Sequence, residues 1–152
     1  MTTVRRLGPD DWESARAVRL ASVRDAFGER SEFYREQCAL AEPAWRRVLA
    51  EHARFGAFDD DTPVGTACWR PQGDGEGLLY GMWVDPGARG TGLAAELVDA
   101  VVRVAREHGH RRLALKVEPG NARARALYRR TGFRDDPAGS EGLVVMVREL
   151  PG

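Results

Sequence analysis

The chain has 152 residues, 43% hydrophobic and 30% charged, and its 23 basic side chains balance 23 acidic ones. That is the size and make-up of one globular domain, which buries roughly two-thirds of the surface its unfolded chain exposes. No apolar run reaches membrane-span length, residues 1–12 hold no signal-peptide core, and two cysteines, Cys38 and Cys68, make neither a disulfide framework nor a metal cluster. The cytoplasm is the expected location.

In chain order, residues 3–7 alternate as an edge strand and Gly8-Pro9 breaks it. Asp10 with Glu13 has the spacing of a capping box, and Trp12, Ala15, Val18 and Val23 give a helix of about four turns an apolar stripe, ended at Phe27-Gly28. A second helix is predicted over 31–40. A third opens at Pro43 and runs to about His52, with Trp45, Val48 and Leu49 inward. Residues 55–58 and 64–69 are strands joined by an acidic turn at 59–63, and Cys68 is read as a small buried hydrophobe. Residues 70–77 read as a flexible loop.

The most informative stretch comes next. Residues 78–84 form an apolar strand, which Asp85-Pro86-Gly87 ends. Arg89-Gly90-Thr91-Gly92-Leu93-Ala94 follows, and from there apolar residues recur at helical spacing until Gly109. A strand, a Gly turn and a helix start aim several backbone N–H groups and a helix dipole at one spot, where a phosphate or pyrophosphate fits. The spacing is neither the Walker A loop nor the dinucleotide fingerprint. His108 and His110, with no third ligand, are read as helix-end polar residues, so no metal is expected. A strand at 113–117, a turn at 118–120, and a helix over 121–131 capped by Asn121 and ended by Gly132 come next. Phe133 opens a strand, 135–142 is a polar loop, and 143–150 is the final strand. Asn121 and Tyr128, seven apart, share one helix face.

Charge is uneven. Residues 1–76 carry 11 arginines against 14 carboxylates, while 77–152 carry 12 basic residues against 9 acidic ones. The basic centre at 111–134 fits a polyanionic cofactor, a solvated arginine face or nucleic acid; it lacks the interleaved aromatics of single-strand readers.

The pattern Arg89-x-x-Gly92-x-Ala94 after Val84-Asp85-Pro86 resembles the acyl-CoA pyrophosphate loop of the GNAT N-acetyltransferase superfamily. So does the later run of Asn121, then Ala124 or Ala126, Leu127-Tyr128 and Gly132-Phe133. The resemblance is close over 78–133 and looser over 11–69. It implies an α+β, single-domain GNAT-like fold over residues 1–152. The sheet would be mixed and mostly antiparallel, with six to seven strands splayed at its centre and about four flanking helices. It also implies transfer of an acetyl group from acetyl-CoA to a primary amine of a small molecule, peptide or protein, by direct attack in a ternary complex.

Carried onto this chain, the pantetheine arm would pair along Met82, Trp83 and Val84, and the Met82 N–H would polarise the thioester carbonyl. The pyrophosphate would sit on Arg89, Gly90, Thr91, Gly92, Leu93 and Ala94. Asn121 would hold the pantetheine arm or the strand-to-helix turn, and Tyr128 would act as general acid to the thiolate. Arg123, Arg125, Arg129 and Arg130 are candidates for the adenosine 3′-phosphate. Some family members have a glutamate base at a position that is Leu78 here, others at Lys116. Glu76 is the first carboxylate choice and Glu118 the other; a water relay needs neither. Phe27, Tyr34 and Trp45 could line the acceptor's approach, between the early helices and the 135–142 loop. The alternatives are a non-enzymatic acyl-CoA-binding module and a nucleic-acid-binding domain. A homodimer would be the commonest closed assembly.

Overall fold

A computed structural model describes residues 1–138 and 142–151. β1 (Thr2–Leu7) leads through a 3-10 turn into α1 (Trp12–Phe27), then α2 (Glu32–Cys38) and α3 (Glu42–Glu51). Three strands follow, β2 (Ala53–Asp59), β3 (Thr62–Pro71) and β4 (Glu76–Val84), then α4 (Leu93–Glu107) and β5 (Arg112–Val117). α5 (Ala122–Arg130), β6 (Arg134–Asp136) and β7 (Val144–Glu149) complete the described chain. The element order is the expected α+β one, with five α-helices against the expected four or so. No described helix is long and apolar enough to cross a membrane.

One seven-stranded sheet runs β1-β2-β3-β4-β5-β7-β6. Every neighbouring pair is antiparallel except β4 and β5, which are parallel because α4 carries the chain across. That parallel pair is short: Glu76, Gly77 and Leu78 meet Arg112, Leu113 and Ala114, and there the ladder ends. Beyond Leu78 the strands part, and the remainder of β4 and of β5 face each other unpaired. The splay expected at the sheet's centre is this parting.

The larger core cluster holds Leu93, Leu97, Val98 and Val101 of α4 against Ala67, Leu79, Leu113 and Leu115 of the sheet, and Tyr128 and Phe133 join it. A second cluster, on the α1 side, gathers Leu7, Ala15, Val18, Leu49 and Phe58, with Trp12 and Trp83 packed on it. So α1 and α4 cover opposite faces.

Local structure differs from expectation at five places. Val48, expected inward on α3 beside Trp45 and Leu49, is 41% exposed. Asp10 and Glu13 do not box the first helix; Asp11 does the local work, its carboxylate accepting from the Gly8 N–H at 2.8 Å. The acidic turn is tighter than 59–63, because Asp60 takes φ +55° and pairing resumes at Thr62. The loop at 70–77 is mostly strand: β3 runs to Pro71 and β4 starts at Glu76, since Gln72 N–H donates to the Glu76 carbonyl at 2.8 Å. The polar loop begins later than 135, because Asp135 and Asp136 pair with Met146 and Val145. Residues 139–141 of that loop lie outside the described residues.

Candidate active site

β4 is the axis of the site, and it is bulged. Thr66 pairs with Trp83 and Cys68 with Tyr80, so Ala67 alone stands opposite both Gly81 and Met82. Gly81 takes φ +63°, a conformation glycine adopts without strain. The extra residue switches faces. Leu78 and Tyr80 belong to a small cluster with Ala114, Val145 and Val147, whereas Met82 and Val84 pack on the α4-side core. Trp83 returns to the α1 side, where its indole N–H donates to Asp25 Oδ2 at 3.0 Å.

β4 ends at Asp85, whose carboxylate accepts from the Gly87 N–H at 3.0 Å and holds a 3-10 turn over Pro86–Ala88. Arg89 N–H closes onto the Pro86 carbonyl, and Thr91 Oγ1 donates to the Ala88 carbonyl at 2.6 Å. Gly90 and Gly92 then take φ +80° and +86°, and α4 starts at Leu93. Among the described residues, no acceptor meets the backbone N–H groups of residues 90–95. A Cβ built at Gly90 or Gly92 meets nothing within 4 Å, so the space before this row is open. Arg89 is exposed at the rim. An open row of N–H groups at a helix start is a fit for pyrophosphate.

Across the parting, Asn121 caps α5, its side chain accepting from the Ala124 N–H at 3.1 Å. Its side-chain NH2 points to no acceptor among the described residues. Tyr128, on the same helix face, is 6% exposed and meets Phe133 edge-on at 5.8 Å. Burial alone pushes its pKa up to about 12, with no hydrogen bond contributing. Arg125 and Arg129 are tied to Asp135 at 3.2 and 3.4 Å, while Arg123 and Arg130 make no ion pair among the described residues.

Glu76 is not brought to this place. It sits at the paired end of β4, where Gln72 Nε2 donates to its carboxylate at 2.7 Å and Arg112 lies 3.8 Å away. Met82 lies six positions further along the strand, roughly 20 Å of rise. Trp45 is core, its indole donating to the Leu40 carbonyl; Tyr34 is half-buried, and Phe27 is exposed against Phe33. His108 and His110 stack on Trp69, with ring centroids 4.2 and 5.5 Å away, rather than meeting as ligands. The described residues include no cluster of three metal-ligating groups.

Sequence reasoning missed the polar cluster on the α1 side of β4. Tyr80 Oη and His52 Nδ1 are 2.5 Å apart. Burial, then the nearby Arg70 charge, hold the His52 pKa below its ordinary value; burial holds that of Tyr80 well above its own. Both groups are neutral at pH 7. His52 is remote in sequence from every motif, and only the register of β2, β3 and β4 brings it here.

Residues 19–133 match the acetyltransferase (GNAT) family. A mycothiol acetyltransferase of Beutenbergia cavernae is 43% identical over 121 residues, covering 60% of this chain and 41% of its own length. An uncharacterized N-acetyltransferase of Mycobacterium bovis is 36% identical over 118 residues, with 73% and 71% covered. The PaiA N-acetyltransferase of Thermoplasma acidophilum, solved in complex with coenzyme A, superposes with a TM-score of 0.78 at 17% identity, over 99% of both chains. The chain thus spans well under half of the mycothiol enzyme and nearly all of the solved fold. The parted strands, the Gly turn and the match over 19–133 agree, and the chain belongs to the GNAT acetyltransferase family.

Proposed function

We propose that residues 1–152 work as one acetyl-CoA-dependent N-acetyltransferase unit acting on a primary amine in a ternary complex. The observation that carries this reading is the row of unpartnered N–H groups at 90–95, which follows the unpaired end of β4. When bound, acetyl-CoA supplies the acetyl group and a thiol leaving group. Residues 90–95 hold the pyrophosphate through backbone N–H groups and the α4 dipole. The backbone of Met82, Trp83 and Val84 offers the arm a strand edge, and the Met82 N–H faces the thioester carbonyl as a hydrogen-bond donor. In this reading Asn121 contributes its free NH2, and Arg123, exposed and in no ion pair among the described residues, takes the 3′-phosphate.

Tyr128 keeps its proton at neutral pH, because burial disfavours the phenolate. It therefore serves the departing sulfur as a hydrogen-bond donor, its O–H proton passing to sulfur as the phenol oxygen takes a proton from water. The amine must lose a proton, and Glu76, the carboxylate of β4, lies roughly 20 Å along the strand from Met82. The Tyr80 hydroxyl, bonded to neutral His52, takes that role in this reading: the amine proton passes to the hydroxyl as the hydroxyl proton passes to the imidazole.

The test is calorimetric titration with acetyl-CoA and with CoA lacking the 3′-phosphate, followed by thiol release on a panel of amines. Micromolar binding that weakens without the phosphate, and does so less in Arg123→Gln, supports the reading. A folded protein that binds neither ligand overturns it. Binding without thiol release from any amine favours the non-enzymatic acyl-CoA module.

A further inference from the structure

We propose that the acceptor is a small amine bearing an anionic group, a carboxylate or a phosphate, received by the Arg19 and Arg54 guanidiniums on the α1 face of the sheet. The inference rests on the acetyl-transfer reading above and names its substrate class.

Arg54, on β2, is 7% exposed. It donates through Nη1 to Thr66 Oγ1 at 3.1 Å, and the Thr66 hydroxyl is in turn spent on the Phe55 carbonyl at 2.8 Å. One neutral hydroxyl is a poor match for a guanidinium with five N–H donors. Arg19, on α1, donates through Nε to Gln37 Oε1 at 3.2 Å and lies over the Phe33 ring at 5.6 Å. Neither arginine takes part in an ion pair among the described residues; those pairs belong to other arginines. Burial and then the charge of Arg54 push the Arg19 pKa down, so the two cations feel each other. A buried Arg54 guanidinium and a half-buried Arg19 guanidinium, alike in charge and lacking a carboxylate, are unfavourable together, and a shared anion offsets the conflict.

The surroundings reinforce the sign. Arg70 stands opposite Leu78 in the β3–β4 ladder, on the face of Tyr80, and Lys116 follows Ala114 by two residues on β5. Two carboxylates on this side are engaged elsewhere, Asp25 with the Trp83 indole at 3.0 Å and Glu29 near Arg24 at 3.9 Å, while Glu51 adjoins His52. Tyr80 feels the Arg54 and Arg70 charges and precedes Met82 by two residues, about 7 Å of strand. An anion seated on the arginines thus leaves room for a few carbons between it and an amine presented to Tyr80.

The test pairs amines that differ by one group: ornithine with putrescine, lysine with cadaverine, and phosphoethanolamine with ethanolamine. Thiol release is measured with wild type, Arg19→Gln, Arg54→Met and Arg103→Gln, the last on the outer face of α4. Acetyl-CoA affinity and melting temperature are recorded for each. In wild type the anionic member of at least one pair is expected to have the higher kcat/KM, by about 10- to 100-fold. Which pair responds separates carboxylate from phosphate. Arg19→Gln should erase most of that preference through KM while acetyl-CoA affinity stays unchanged; Arg103→Gln should leave both unchanged. Equal or reversed preference with intact acetyl-CoA binding overturns this inference alone, whereas loss of acetyl-CoA binding in wild type overturns the reading beneath it. A second readout needs no turnover. Succinate or phosphate, at matched ionic strength, should raise the melting temperature of wild type more than that of Arg19→Gln or Arg54→Met. Equal shifts in all three overturn the anion site.

Discussion

The two faces of β4 are built on different principles. On the α4 side, the groups offered to a ligand are mostly backbone: the N–H row at 90–95 and the free edge beyond Leu78. On the α1 side, they are side chains gathered from α1, the end of α3, β2, β3 and β4: Arg19, His52, Arg54, Arg70 and Tyr80. Backbone recognition suits a cosubstrate common to a whole family, because it depends on turn geometry rather than on side-chain identity. Side-chain recognition can be rewritten one residue at a time, which suits an acceptor that differs from one enzyme to the next.

The largest test of that contrast is Gly92→Asp. Position 92 sits at φ +86°, which costs a side chain roughly 1–2 kcal/mol, and the new carboxylate stands before the N–H row. Acetyl-CoA affinity should fall by about 100-fold or more, with the protein still folded. Calorimetry beside circular dichroism checks it, and unchanged affinity would remove the pyrophosphate assignment. Tyr128→Phe comes next. The ring still fills its place against Phe133, so affinity should hold while kcat drops by about 10²-fold. A turnover equal to wild type would make Tyr128 a packing residue.

The smallest effect is on the acceptor side. His52→Gln should slow turnover by about tenfold, at the low end for proton transfer because water can receive the amine proton. Its pH signature is sharper. The relay needs neutral His52, and burial with Arg70 holds its pKa below the ordinary 6.5. In wild type the fall of kcat/KM attributable to this group should therefore appear only as pH drops below about 6.5. His52→Gln should lack that limb and keep the one set by the acceptor's own amine. An acid limb identical in both proteins would take His52 out of the chemistry.

The same contrast explains what could be read from the chain alone. The Gly turn, the Asn121 cap, Tyr128 and the element order are local or short-range patterns, and their spacing carries them. The α1 side depends on register. Arg19, Arg54 and Tyr80 each look ordinary in sequence; only the β2–β3–β4 ladder and the seat of α1 make them neighbours. Glu76 was misplaced for a related reason. A Gly-rich run suggested a loop, whereas Gln72 closes a tight turn and commits Glu76 to the paired end of the strand. The cap at Asp10 failed because Gly8-Pro9 starts a 3-10 turn whose own N–H claims Asp11.

The short ladder between β4 and β5 also bears on how the molecule avoids its own kind. An unpaired strand edge is a template for another chain, and sheets guard their outer edges against such docking. Here two unpaired edges lie inside the sheet rather than at its rim, residues 79–84 of β4 and 115–117 of β5. A slender, chain-like guest able to hydrogen-bond along one side can pair with such an edge. Those amide hydrogens of residues 79–84 that point away from β3 should then exchange readily in the protein alone and slow sharply once such a guest fills the wedge, making them a direct reporter of occupancy.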